Sequence, residues 1–237
     1  MAKIYATYSH KGGCAKTTTS VSIAFRAMER NIRLGFLDLD PQGNGMRWLS
    51  GNTWDKNSEV NTLHLGSLVV SRVLPDVERE PFILIDTKPD ASTFDAIAGK
   101  FPVDAWLIPF MATDIFEYEG AADVVKAVKE RELGGRVIVI PTRTTPLEPF
   151  AKQHLASIAE LPGVEFCPHS IPNSSIALTA SRNEGIAPWK TSRGLTNNAA
   201  IALKAFADYV LDDFNSLRPN RASLQRFSLK TYGNAQH

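Results

Sequence analysis

Six short apolar runs punctuate the chain, near residues 3–9, 33–38, 82–86, 104–109, 136–141 and 165–171. The run Phe82-Ile83-Leu84-Ile85 has no polar face, which is the pattern of a strand covered on both sides in a parallel sheet. Between the runs, apolar residues recur at helical spacing near 17–30, 67–79, 92–100, 117–132, 148–160, 174–183 and 196–214. Alternation of this kind predicts right-handed βαβ crossovers and an α/β fold, a mostly parallel twisted sheet with helices on both faces. The stretch 46–66 has little periodicity, and its Trp48 and Trp54 read as core or lid residues.

The chain has 237 residues, 43% of them hydrophobic, enough for one substantial core. Composition does not break before the end, so the expected organisation is one domain over 1–214 and a basic tail over 215–237. No apolar stretch is long enough to span a bilayer, and Ser9, His10 and Lys11 interrupt the N-terminal run, so a cytoplasmic protein is expected. Cys14 and Cys167 are the two cysteines; they form neither a disulfide framework nor a metal spacing, and the five histidines share no ligand spacing.

Three segments carry chemistry. The first is Lys11-Gly12-Gly13-Cys14-Ala15-Lys16-Thr17-Thr18, set between an apolar strand and a helical pattern. Small residues there let backbone N–H groups curl around phosphate oxygens, the following helix points its positive end at them, Lys16 adds a charged donor, and Thr17 supplies a hydroxyl for Mg²⁺. The common Gly-x-x-x-x-Gly-Lys-[Ser/Thr] pattern is broken at both glycines, with His10 and Ala15 in their places. The second is Asp38-Leu39-Asp40-Pro41-Gln42-Gly43-Asn44, two carboxylates delivered to the carboxyl end of a strand, where open α/β sheets place ligands. The third is Phe82-Ile83-Leu84-Ile85-Asp86, a buried strand ending in an acid; in phosphate-loop enzymes such an aspartate holds the Mg²⁺ shell.

In this order and spacing the three segments resemble the ParA/MinD family of P-loop ATPases, whose deviant Walker A loop carries an extra signature lysine, here Lys11. The resemblance implies ATP and Mg²⁺ as cofactors, held by Lys11 through Thr18, with Thr17, Asp40 and Asp86 around the metal. It implies that Lys11 reaches the partner's phosphates in a nucleotide-sandwiched homodimer and that Asp40 positions the attacking water. Lys11, Lys16 and Asp40 are therefore the expected catalytic set, and Cys14 fills a loop position often held by Val in the family. Thr142 and Pro172 match, less sharply, the segments that border the adenine. Family members usually continue the third segment with two prolines, whereas Lys88 stands here at the first of them; it is expected to face solvent.

The net charge of +1 hides an asymmetry, because from Arg182 onward eight Lys/Arg face four acids. Such a basic end suits polyanions, and Arg182, Lys190, Arg193 and Arg218 are the expected DNA contacts. The region after Pro219 offers only Leu224, Phe227 and Leu229 among polar residues, a poor membrane anchor. The resemblance then points to a small partition ATPase, nucleoid-associated, that binds non-specific DNA as an ATP dimer, hydrolyses ATP weakly alone, and answers to a ParB-like or cargo adaptor protein. A membrane-associated MinD-like positioning ATPase and a dethiobiotin-synthetase-like ligase are the alternatives.

Overall fold

Strand β1 (Lys3–Thr7) leads through a loop into helix α1 (Lys16–Glu29), and β2 (Leu34–Asp38) follows with the short α2 (Asn44–Leu49). Then come β3 (Thr62–Leu65), β4 (Leu68–Ser71), β5 (Phe82–Asp86), α3 (Ala91–Lys100), β6 (Ala105–Met111), α4 (Ile115–Glu130) and β7 (Arg136–Thr144). The elements β8 (Val164–Phe166), β9 (Ile171–Pro172), α5 (Ser175–Glu184) and α6 (Asn198–Ser216) complete the series. The structure is a computed structural model that describes residues 2–111, 115–130, 134–144, 160 and 163–216.

The sheet runs β3-β4-β2-β5-β1-β6-β7-β8, with β9 beside β7. Every pair is parallel except β3 with β4. From β1 the chain winds first toward β2 and later, through β6, to the other side, so the crevice at the carboxyl end of β1 is the switch point where such sheets bind ligands. All five residues of β2 and of β5 are buried, because consecutive side chains enter opposite layers of core. Tyr5, Phe36, Leu84 and Ile138 pack under α1 and α6, whereas Ile4, Leu37, Ile85 and Trp106 pack under α3 and α4.

The expected α/β architecture stands, with one correction among its elements. The apolar spacing over 67–79 predicts a helix, but the chain there forms β4 and a single 3₁₀ turn at Leu74–Asp76. Leu68 pairs with Leu65 across a two-residue turn in which Gly66 takes φ 65°, and this hairpin geometry outweighs a periodicity supplied by only a few aliphatic side chains. The run predicted over 165–171 divides into β8 and β9. The predicted helix over 148–160 and most of the predicted basic tail lie outside the described residues.

Helix α6 is tied to the rest by charge as well as packing. Asp208 accepts from Arg26 at 2.8 Å and Arg30 at 3.1 Å, Asp212 pairs with Arg30 at 2.7 Å, and Asp213 pairs with Arg136. All three acids of this helix are thus matched by Arg26 of α1, by Arg30 just after it and by Arg136 of β7, which bears on the charge asymmetry read from the sequence.

Candidate phosphate and metal site

Between β1 and α1 the backbone turns through two left-handed residues, Gly13 at φ 81° and Ala15 at φ 73°. Gly13 meets this requirement without strain, while Ala15 does so at a cost of about 1 kcal/mol. The turn aims the first N–H groups of α1 outward; no side chain caps them, and the first turn of the helix holds no acid. Uncapped donors at the positive end of a helix form an anion cradle. A Cβ placed on Gly12 or Gly13 would meet nothing within 4 Å, so the space above the loop is open.

Lys16 is 93% buried, its exposure only 7%. Its Nζ donates to the Lys11 carbonyl at 2.8 Å and lies 3.7 Å from the Cys14 sulfur. Cys14 is buried and holds the loop by donating to the same carbonyl. Lys11 sits beside α4, its Cε 3.8 Å from the point where a Cβ on Gly120 would stand. Thr142, at the end of β7, directs its hydroxyl at the carbonyls of Cys14, 3.1 Å away, and Phe110, 2.9 Å away. It therefore braces the phosphate loop against the sheet.

Beneath the loop two carboxylates stand side by side, Asp38 and Asp86 being register partners on β2 and β5. Asp86 is wholly buried; its Oδ1 accepts from the Ser20 hydroxyl at 3.0 Å, and its Oδ2 has no partner. Burial first, and then the charge of Asp38, push its carboxyl up to about 8, against the pull of Thr17, Ser20 and Lys16. Asp38 is likewise raised, to about 6, chiefly by burial. Reasoning from sequence assigned Asp38 no task, yet it shapes the site: Oδ1 accepts the Asp40 N–H at 3.1 Å and Oδ2 the Met46 N–H at 2.9 Å. It thereby fixes both the loop that carries Asp40 and the start of α2. The signal was the Asp-x-Asp pair itself, whose first carboxylate ends the buried strand while the second stands in the loop that follows.

Asp40 is half-buried, its Oδ1 accepting from the Gln42 N–H at 2.9 Å. Gly12, Gly13, Ala15, Lys16, Thr17, Thr18 and Asp40 all line one cleft of about 610 Å³. Thr142 and Pro172 line it too, as do Trp48, Asn52 and Arg182. The hydroxyl of Thr17, the unpartnered oxygen of Asp86 and the carboxylate of Asp40 are hard oxygen donors of the kind Mg²⁺ selects. An orphaned buried carboxylate oxygen next to an anion cradle fits a divalent cation held between protein and phosphate.

Arg182, expected as a DNA contact, lines this cleft. Its guanidinium lies 5.1 Å over the Trp48 ring, and its Nη2 is 3.4 Å from the Thr18 hydroxyl. The cause is a close junction between α2 and the end of α5. Trp48 donates its indole N–H to Ser181 at 3.1 Å, Asn52 donates to the Arg182 carbonyl at 2.6 Å, and Gly51 abuts Gly185. Lys190 is exposed but pairs with Glu29 at 3.1 Å, Arg193 is exposed, and Arg218 lies outside the described residues. Lys88 is partly exposed and pairs with Asp90 at 2.5 Å.

A family profile described as an AAA domain matches residues 2–80. Protein IncC of Escherichia coli is 24% identical over 254 residues, spanning 88% of this chain and 69% of that protein. The fold is similar to that of a Cyanothece McdA variant in complex with ATP, with TM-score 0.66 at 18% identity over 88% of this chain and 96% of that one. It is equally similar to the septum site-determining protein MinD of Pyrococcus horikoshii complexed with Mg-ADP, with TM-score 0.66 at 16% identity over 89% of this chain and 96% of that one. With the lysine-bearing loop, the Asp40 turn and the Asp86 strand gathered at the switch point of such a sheet, the chain shares the fold of these proteins and resembles the ParA/MinD-type P-loop ATPases at this site.

Proposed function

We propose that the chain is a positioning ATPase, which binds ATP with Mg²⁺ in this cleft and hydrolyses it as a homodimer. The observation that carries the reading is Asp86: a fully buried carboxylate with an unpartnered oxygen, directly beneath an uncapped helix N-terminus. Such an arrangement is costly by itself and is relieved by a cation bound to phosphate. The N–H groups around Gly12, Gly13 and Lys16 hold the phosphates, and Lys16 exchanges its contact with the Lys11 carbonyl for a phosphate oxygen. Thr17 and Asp86 would hold the metal. Mg²⁺, when bound, neutralises charge that builds on the phosphates during transfer. Asp40, kept in place by Asp38, orients the water for in-line attack, and Lys11 completes the partner's site, which couples hydrolysis to dimerisation.

The ATP dimer, on this reading, binds DNA without sequence preference and moves a cargo through an adaptor protein of the ParB kind, in the cytoplasm at the nucleoid. The charge pattern supports this. The acids of α6 are matched by Arg26, Arg30 and Arg136, whereas Arg193 and Lys204 are exposed and make no ion pair among the described residues. No helix among the described residues is long and apolar enough to cross a membrane.

Two substitutions test the core of the proposal. Lys16→Ala removes nucleotide binding, and Lys11→Ala leaves it in place while abolishing the ATP-dependent rise in mass seen by light scattering. Equal loss of nucleotide affinity in both variants refutes the division of roles.

A further inference from the structure

Among the described residues, four cations line the cleft, Lys16, Arg47, Arg143 and Arg182, against the single acid Asp40. Lys16 is part of the phosphate loop. Arg182 and Arg143 are not, yet both line the cleft with Pro172 and Asn173. Arg182 is stacked on Trp48 and reaches toward Thr18. Arg143 is held in the left-handed region at φ 50°, with its Nη1 3.6 Å from the Met111 sulfur. No carboxylate among the described residues pairs with either one. Burial, and next the charge of Arg143, depress the Arg182 guanidinium from its ordinary value, as expected of two like charges brought together with no anion between them.

Position identifies the anion that would relieve them. Along a phosphate loop the lysine and the adjacent hydroxyl serve the terminal phosphates and the metal, while the loop N–H groups also cradle the inner ones. Thr18 is one residue beyond Lys16 and Thr17, and Arg182 hangs over its hydroxyl on the wall that begins at Pro172 and Asn173. A guanidinium fork is suited to phosphate oxygens, and stacking on an indole fixes its plane. We propose that Arg182, assisted by Arg143, forms a second anion subsite that holds the phosphate nearest the ribose. This deepens the nucleotide reading above and rests on it.

Calorimetric titration of the full chain with AMP, ADP, ATP and adenosine tests the subsite. In Arg182→Gln, affinity for AMP, ADP and ATP falls by about tenfold in each case, the scale of one charge-assisted contact. Adenosine binding is unchanged, and Arg182→Lys recovers part of the loss. Arg143→Gln, which leaves the Trp48 stack intact, shows the same pattern to a smaller extent, so loss of packing in the Arg182 variant does not confuse the result; melting temperature is followed in parallel. Unchanged AMP and ADP affinity in both variants overturns the proposal, as does an equal loss for adenosine, which would make Arg182 a base contact. If Lys16→Ala abolishes ATP binding while Arg182→Gln does nothing, the nucleotide reading survives and the subsite fails. A parent chain that binds none of the four ligands brings down both.

Discussion

Replacing Asp86 by asparagine should stabilise the ligand-free protein while destroying its metal-dependent nucleotide binding. The carboxyl is fully buried, with one oxygen unpartnered, and is raised from 3.8 to about 8 by burial and by Asp38. Because the folded value lies above the unfolded one, the native state keeps a proton that the unfolded chain releases. Stability from this group therefore falls as pH rises from about 4 to about 8 and is level above that. Each pH unit inside the window costs up to about 1.4 kcal/mol, and Asp38 carries part of the burden. A gain of about 2 kcal/mol is expected for Asp86→Asn at pH 7–8, or about 4–8 °C in melting temperature for a chain of this size. The gain should shrink toward pH 5, where the parent carboxyl is already protonated. Thermal denaturation across pH 5–8, with ADP titrations in the presence and absence of Mg²⁺, reads both halves. A variant melting no higher than the parent at pH 8, or a gain independent of pH, refutes the reasoning.

Two further outcomes follow from packing and charge. In Gly185→Ala the new Cβ would stand 2.1 Å from the Gly51 Cα at a backbone φ of 64°, so the α2–α5 junction must part; a loss of about 2–4 kcal/mol is expected, and an unchanged melting temperature contradicts it. Binding of random-sequence duplex should require ATP, weaken in Arg193→Glu and fall steeply with salt, by about one unit of log K per log salt for each phosphate contact; nucleotide-independent or salt-insensitive binding, measured by anisotropy, overturns the DNA reading.

The parts of this fold that were legible from sequence are those where burial on both faces makes a strand continuously apolar, as in β5 and β6, and where a motif fixes backbone geometry, as from Lys11 to Thr18. The hairpin of β3 and β4 was not, because Leu68, Val69, Val70, Val73, Leu74 and Val77 satisfy a helical spacing while pairing as a strand followed by a tight turn. Charge counting recorded how many cations the C-terminal stretch holds but not where they point. Arg182 is drawn into the cleft by Trp48, and Asp208, Asp212 and Asp213 are occupied by partners 77 residues away in one case and nearly two hundred in the others. Asp38 shows the same limit at closer range, since only tertiary structure distinguishes the buried carboxylate that shapes the loop from its half-buried neighbour Asp40.

If Asp40 works on ATP held by the loop above Asp86, its loss stops turnover and spares binding. Steady-state ATP hydrolysis by the parent and by Asp40→Ala, with ATP affinity measured on the same preparations, tests it most directly. Expected are slow, Mg²⁺-dependent turnover in the parent, undiminished ATP affinity in the variant, and a fall in rate of about 10²–10⁴-fold, leaving an ATP-bound dimer that persists. Hydrolysis at the parent rate in Asp40→Ala, or no Mg²⁺-dependent hydrolysis by a parent that binds ATP, would contradict it.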